Sequence, residues 1–90
     1  MSSSWFVYLV RCADNSLYAG ITTDLTRRMT EHNHSNKLAA KYTRVRRPVH
    51  LVYSENSSSR SEASRKEYQL KRLSKTAKEK LVSNFDNVNI

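Results

Sequence analysis

Trp5-Phe6-Val7-Tyr8-Leu9-Val10-Arg11-Cys12 is β-branched and aromatic, with apolar residues at both alternating positions, as expected of a strand covered on both faces. Ala13-Asp14-Asn15-Ser16 is turn chemistry. Leu17-Tyr18-Ala19-Gly20 then returns as the second strand of a hairpin. Tyr8 and Tyr18 therefore lie on neighbouring strands; whether they share a face depends on the turn register, which the sequence leaves open.

Downstream, Thr22-Thr23-Asp24 supplies N-cap candidates for a helix through about Asn33, with Leu25, Met29 and His32 at helical spacing. At roughly 100° per residue, Arg28 and His32 fall beside Leu25 and Met29, whereas Arg27 points away. Residues 33–47 are polar and basic and read as a long binding loop with a short helical turn near Leu38-Ala39-Ala40. Pro48 opens a third strand, Val49 to Ser54, where a missing N–H is tolerated. Ser59 and Glu62 have the spacing of a capping box, so a helix is expected over about Arg60–Leu73. It aligns Ala63, Glu67 and Leu70, flanked by Lys66 and Leu73. Thr76-Ala77-Lys78-Glu79 repeats the capping pattern for a last helix, followed by a frayed tail over 86–90. The expectation is an α+β fold in the order β-β-α-β-α-α, a small three-stranded antiparallel sheet flanked by helices. It forms a single domain over 1–90, with an ordered core over about 5–85.

Ninety residues allow one modest core. Sixteen Lys and Arg against eight Asp and Glu give a formal charge of +8, and phosphate backbones are the commonest target of such a field. The bland alternative is solubility or the general stickiness of a basic protein for RNA. No apolar run approaches the ~18 residues that span a bilayer, so no membrane partner is expected. The single Cys12 cannot form an internal disulfide, and Met1–Trp5 carries no basic segment leading into a long apolar run, which points to the cytoplasm.

Glu67 is a carboxylate on an apolar stripe, and desolvating a lone charge costs several kcal/mol. It must be paired, hydrogen-bonded or metal-bound, and Lys71 at i+4 is one available partner. Arg28 offers a planar, permanent charge suited to the non-bridging oxygens of a phosphorane, or else a structural ion pair with Glu67. Tyr8 and Tyr18 read equally as core aromatics with tied-off hydroxyls. His34 and His50 lack metal-ligand spacing, and with one cysteine no structural zinc site is expected.

Phe6-Val7-Tyr8, Tyr18-Ala19-Gly20 and Asp24-Leu25-Thr26-Arg27-Arg28 together resemble the GIY-YIG nuclease domain, and the resemblance covers nearly the whole chain. It is nearest to the small, stand-alone bacterial members, through Ala-Lys-Tyr-Thr-Arg, Arg-Pro, Leu-Val-Tyr and Glu-Tyr-x-x-Lys-x-Leu-Ser. The resemblance implies that Tyr8, Tyr18, Arg28, His32 and Glu67 form a catalytic set. Glu67 would hold one Mg²⁺ or Mn²⁺, one tyrosine would help to deprotonate the attacking water while the other orients it, and Tyr8 is taken as the base. His32 matches a position that contacts the nucleophile or phosphate. Phe6 stands in place of Gly, Ala19 in place of Val or Ile, and Ile21 where some members place a Lys that assists the base.

The implied activity is metal-dependent hydrolysis of phosphodiester bonds in DNA rather than RNA, structure-dependent or of low sequence specificity, with a repair or recombination role. Lys37, Lys41, Arg44, Arg46, Arg47, Lys66, Lys71 and Arg72 are the expected contacts to nucleic acid, positioning without reading bases. A protein partner would supply specificity. The alternatives are a catalytically silent nucleic-acid-binding module or an accessory subunit of a repair complex, with Tyr42 and Tyr68 available for stacking. Oligomeric state is left open.

Overall fold

A computed structural model describes residues 4–88, without the side chains of 86–88. The chain forms β1 (Trp5–Arg11), β2 (Leu17–Thr22), α1 (Leu25–His34), α2 (Lys41–Arg44), β3 (His50–Ser57), α3 (Arg60–Arg72) and α4 (Lys75–Val88). The three strands make one antiparallel sheet in the order β2-β1-β3. The apolar β1 is central, and helices cover both of its faces. Val7 and Leu9 pack with Ala19, Leu70 of α3 and Val82 of α4. Tyr8, Val10 and Cys12 pack on the other face with Val49, Tyr18, Leu25 and Met29. The expected α+β order and sheet are those observed, with α2 as an added turn.

The hairpin turn settles the question of faces. Asp14 Oδ1 accepts hydrogen bonds from the Ser16 N–H at 3.0 Å and from its hydroxyl. Asn15 takes a left-handed φ of 70°, which asparagine tolerates better than most residues. The resulting register sets Arg11 opposite Leu17, Val10 opposite Tyr18 and Tyr8 opposite Gly20. Opposed residues share a face, so both tyrosines project toward α1. A β-bulge between Leu9 and Val10 shifts the pairing with β3, and both Val52 and Tyr53 pack against the Val7–Leu9 cluster.

Element ends differ from the sequence reading where pairing or capping overrides local pattern. The second strand continues through Ile21 and Thr22 because these pair with Val7 and Phe6. The third begins at His50 and runs on through polar Glu55, Asn56 and Ser57, which pair with Val7, Phe6 and Trp5. The short helical turn falls at Lys41–Arg44, after Leu38-Ala39-Ala40 rather than on it. Asp24 caps α1 through the Arg27 N–H, and Ser59 caps α3 through the Glu62 N–H, as the spacing predicts. The last helix is capped by Ser74 Oγ, which accepts from the Ala77 N–H at 3.1 Å, not by Thr76. Glu79 serves instead in a two-pronged pair with Arg11 at 2.6 and 2.8 Å. That pair holds its carboxyl down to about 2 and ties α4 to β1. Of the expected frayed tail, α4 includes residues up to Val88, and residues 89 and 90 lie outside the described residues.

Gly20 is required by its neighbour across the ladder. The Tyr8 ring lies over it, and a Cβ at position 20 would meet the ring at Cζ, 2.6 Å away. Tyr8 is 1% exposed, so its ring has little space to retreat. Overpacking of this kind costs about 1–3 kcal/mol. Gly20→Ala is expected to lower the unfolding free energy by that amount, seen as a lower urea midpoint at unchanged m-value; a wild-type midpoint would mean that the ring slides aside freely.

Candidate active site

The α1-facing side of the hairpin gathers most of the polar side chains singled out in the sequence. Tyr8 Oη lies 2.8 Å from His32 Nε2, and His32 Nδ1 lies 2.8 Å from Thr43 Oγ1. Thr43 Oγ1 in turn is 3.1 Å from the Ala40 carbonyl. His32 and Thr43 are both 0% exposed, so these partners replace water altogether. Tyr18 meets the His32 ring edge-on at 5.8 Å and stacks on Tyr42 at 5.7 Å. The helical spacing that brought Arg28 and His32 to the Leu25–Met29 side therefore describes the real face, and Arg27 is outward at 54% side-chain exposure.

Arg28 Nη1 donates to Glu31 Oε1 at 2.9 Å and to the Leu38 carbonyl at 2.8 Å. Burial works against its charge, but hydrogen bonds to Glu31 and Tyr8 outweigh it and hold the guanidinium above its ordinary value. The structural partner of Arg28 is thus Glu31 rather than Glu67. Burial pushes the Tyr8 phenol up to about 12; Arg28 opposes this, while Tyr18 and Glu67 add to it. Tyr8 is consequently a neutral phenol at physiological pH. The Arg28 cation favours the phenolate but is outweighed by desolvation.

Glu67 projects from α3 with 23% side-chain exposure, and its salt bridge is to Lys71 at 3.5 Å. Its charge is the smallest of the influences that raise the Tyr8 phenol. Among the described residues no three His, Cys, Asp or Glu side chains cluster as a metal cage. A single partly open carboxylate with a loose lysine partner suits a hard ion that keeps most of its water, and it does not suit zinc.

The basic residues divide into two sets. Lys37, Lys41, Arg44, Lys71 and Arg72 are exposed. Arg47 is committed internally: it donates to the His32 carbonyl at 2.6 Å, the Ser35 carbonyl at 2.7 Å and Asn36 Oδ1 at 3.0 Å, which satisfies the C-terminal end of α1. Lys66 is likewise held by Glu55 at 2.9 Å and the Asn56 carbonyl at 3.1 Å. Arg46 pairs with Asp14 at 3.0 Å and lies over the Tyr42 ring at 3.8 Å. Tyr42 is thus engaged by both Tyr18 and Arg46 while it stays 36% exposed. Tyr68 is 60% exposed, with Arg72 over its ring at 5.5 Å. No helix among the described residues is long and apolar enough to cross a membrane.

Thr43 and Glu31 were not visible as site residues in the sequence, and Tyr42 was expected only as a stacking surface, not as a neighbour of Tyr18. The available signal was Thr43 itself, a short polar side chain inside a run of cations, and Glu31 at i+3 from Arg28. Burial pushes the His32 imidazole down to about 4, with Arg28 acting in the same direction, Glu31 against it and Arg47 with it. The unfolded chain takes up this proton near 6.5, whereas the folded chain refuses it until about 4. The associated stability is therefore complete above about pH 6.5 and declines as pH falls toward 4. The His32 ring, followed by NMR, is expected to stay neutral down to about pH 4; titration near 6.5 would contradict its burial.

Comparison with known proteins identifies the family. The model of the GIY-YIG catalytic domain matches residues 4–80. The chain is 61% identical over 79 residues to the UPF0213 protein DP2720 of Desulfotalea psychrophila, covering 88% of this chain and 71% of that one. It is 51% identical over 77 residues to the UPF0213 protein SH2523 of Staphylococcus haemolyticus, covering 86% and 92%. The solution NMR structure of the UPF0213 protein BH0048 from Bacillus halodurans superposes with a TM-score of 0.56 at 45% identity, covering 89% of this chain and 83% of that one. That of EF2693 from E. faecalis gives 0.58 at 38%, covering 89% and 84%. Matched over this length and by relatives of this identity, the chain belongs to the GIY-YIG family of nuclease-type domains.

Proposed function

We propose that the protein is a metal-dependent endonuclease that hydrolyses phosphodiester bonds in DNA in preference to RNA, guided by nucleic-acid structure more than by sequence. The observation that carries this reading is the assembly of Tyr8, Tyr18, Arg28 and His32 on one side of the hairpin, with the Glu67 charge reaching Tyr8. Arg28 is held by Glu31 and Leu38 in a fixed pose beside Tyr8. From there its fork stabilises charge growing on the non-bridging phosphate oxygens. Tyr18, half-buried, is the more open phenol and positions the attacking water. Tyr8 presents oxygen lone pairs to that water and becomes a proton acceptor only when further positive charge opposes its desolvation. Glu67 would hold one Mg²⁺ or Mn²⁺, which when bound supplies neutralisation of the leaving oxygen. The exposed Lys37, Lys41, Arg44, Lys71 and Arg72 hold backbone phosphates and carry no base readout. A repair or recombination setting, with a protein partner adding selectivity, fits a cutter of this kind.

A second reading, a silent nucleic-acid-binding module, draws on the closed state of Tyr8, whose phenol is both buried and raised to about 12. The two are separated by incubating labelled single-stranded, duplex and branched DNAs and matched RNAs with the protein in Mg²⁺ or Mn²⁺. Metal-dependent cleavage is expected, abolished in Glu67→Ala and lowered roughly a hundredfold or more in Arg28→Ala. Binding should weaken steeply with salt in all three proteins. Salt-sensitive binding with no cutting by the wild type would establish the silent module instead.

A further inference from the structure

The buried hydrogen-bond chain has a direction, and α2 sets it. Thr43 has one hydroxyl hydrogen and lies within reach of two groups, the Ala40 carbonyl at 3.1 Å and His32 Nδ1 at 2.8 Å. A carbonyl only accepts. With the hydroxyl hydrogen on Ala40, the Thr43 oxygen must accept, and Nδ1 must carry the imidazole hydrogen. The other end of the chain makes the same demand. Arg28, whose positive charge acts on Tyr8, can only donate, so the phenolic hydrogen must turn to another group for an acceptor. Among the described residues the group in position to accept it is His32 Nε2, at 2.8 Å. The donations then run Tyr8 O–H to His32 Nε2, His32 Nδ1–H to Thr43 Oγ1, and Thr43 O–H to the Ala40 carbonyl. In the opposite sense His32 Nε2–H would donate to Tyr8, leaving the phenolic hydrogen with no acceptor among the described residues. Both His32 and Thr43 are fully buried, so water supplies no substitute.

We propose that Thr43 is a positioning residue that fixes neutral His32 as its Nδ1–H tautomer, and thereby aims the Tyr8 hydroxyl hydrogen at His32 and the Tyr8 oxygen lone pairs toward Arg28 and the reaction site. The adjacent residue of the same turn, Tyr42, stacks on the second tyrosine, Tyr18. Thus α2 orients both phenols by two consecutive side chains, while Lys41 and Arg44 on either side of that pair are exposed. A histidine's tautomer is set by the partner of its other nitrogen, and here that partner lies on a segment the sequence marks for phosphate binding. The catalytic significance of Thr43 rests on the nuclease reading; its control of the tautomer does not.

The test is long-range ¹H–¹⁵N NMR of the His32 ring in the intact protein near neutral pH, without nucleic acid or metal. The wild type should show a protonated Nδ1 and an unprotonated Nε2, Thr43→Ser should keep that signature, and the near-isosteric Thr43→Val should lose it. An Nε2–H tautomer in the wild type, or an unchanged Nδ1–H signal in Thr43→Val, would overturn the proposal; if Thr43→Val does not fold, the wild-type signature alone decides. On a cleaved substrate, Thr43→Val should lower kcat roughly tenfold or more with KM little changed, and Thr43→Ser should restore it. An Nδ1–H wild type that cuts nothing would refute the nuclease reading and leave the tautomer assignment standing.

Discussion

A phenol buried in the middle of a sheet constrains most of what surrounds it. Tyr8 sits on the central strand at 1% exposure, so its hydroxyl depends on a partner within the protein. An unsatisfied buried hydroxyl would cost about 1–3 kcal/mol, a large share of the stability of so small a domain. The ring needs space on the neighbouring strand, which Gly20 alone among the residue types provides without a Cβ. The oxygen needs a partner, which only the inward face of α1 can bring through His32. That imidazole needs a second partner of its own, which brings Thr43 and the basic segment against the helix. Hairpin register, helix phase and loop course all follow from placing one polar atom indoors.

The net charge of +8 is not one undifferentiated field. Arg11, Arg46, Arg47 and Lys66 are structural cations whose hydrogen bonds fasten helix ends, turn and strand edge together. The exposed set on the basic segment and on α3 is what remains to meet an anion. Surface pairs contribute little each. The two-pronged Arg11–Glu79 contact and the three-acceptor grip of Arg47 differ in geometry from such pairs, because each fixes a planar fork against several oxygens at once.

The fold was legible in the sequence because its strongest signals were local. An apolar strand, turn residues and two capping motifs each report on a few neighbours, and the helical phase of Leu25, Met29 and His32 identified the inward arginine. Strand ends were less legible: Glu55, Asn56 and Ser57 look like loop residues but are drawn into the sheet by pairing with Trp5, Phe6 and Val7. The site was half legible. Side chains on regular elements could be placed by periodicity, whereas Thr43 and Tyr42 enter from an irregular segment whose course depends on Arg47 and on the Ala13–Arg46 backbone bond at 2.8 Å. Counting charges cannot separate Arg47, half-buried on the carbonyls of His32 and Ser35, from Arg44, which bonds the Asn36 carbonyl yet stays exposed in the same basic run. Desolvation of Tyr8 was equally out of reach, because it depends on what covers the phenol from every side.

The clasp formed by Arg47 on the end of α1 gives this protein two thermodynamic thresholds instead of one. The C-terminal end of residues 36–46 is clasped twice, by Arg47 on the carbonyls of His32 and Ser35 and by the adjacent Arg46 on Asp14 and, through its carbonyl, on the Ala13 N–H. Opening of a surface segment held at its margin generally takes less free energy than unfolding the core it covers. When it opens, Tyr42 and Thr43 leave together and both phenols lose their orientation, while the domain stays folded. The lifetime of an ordered site is then set by the clasp, and the lifetime of the fold by the core beneath it.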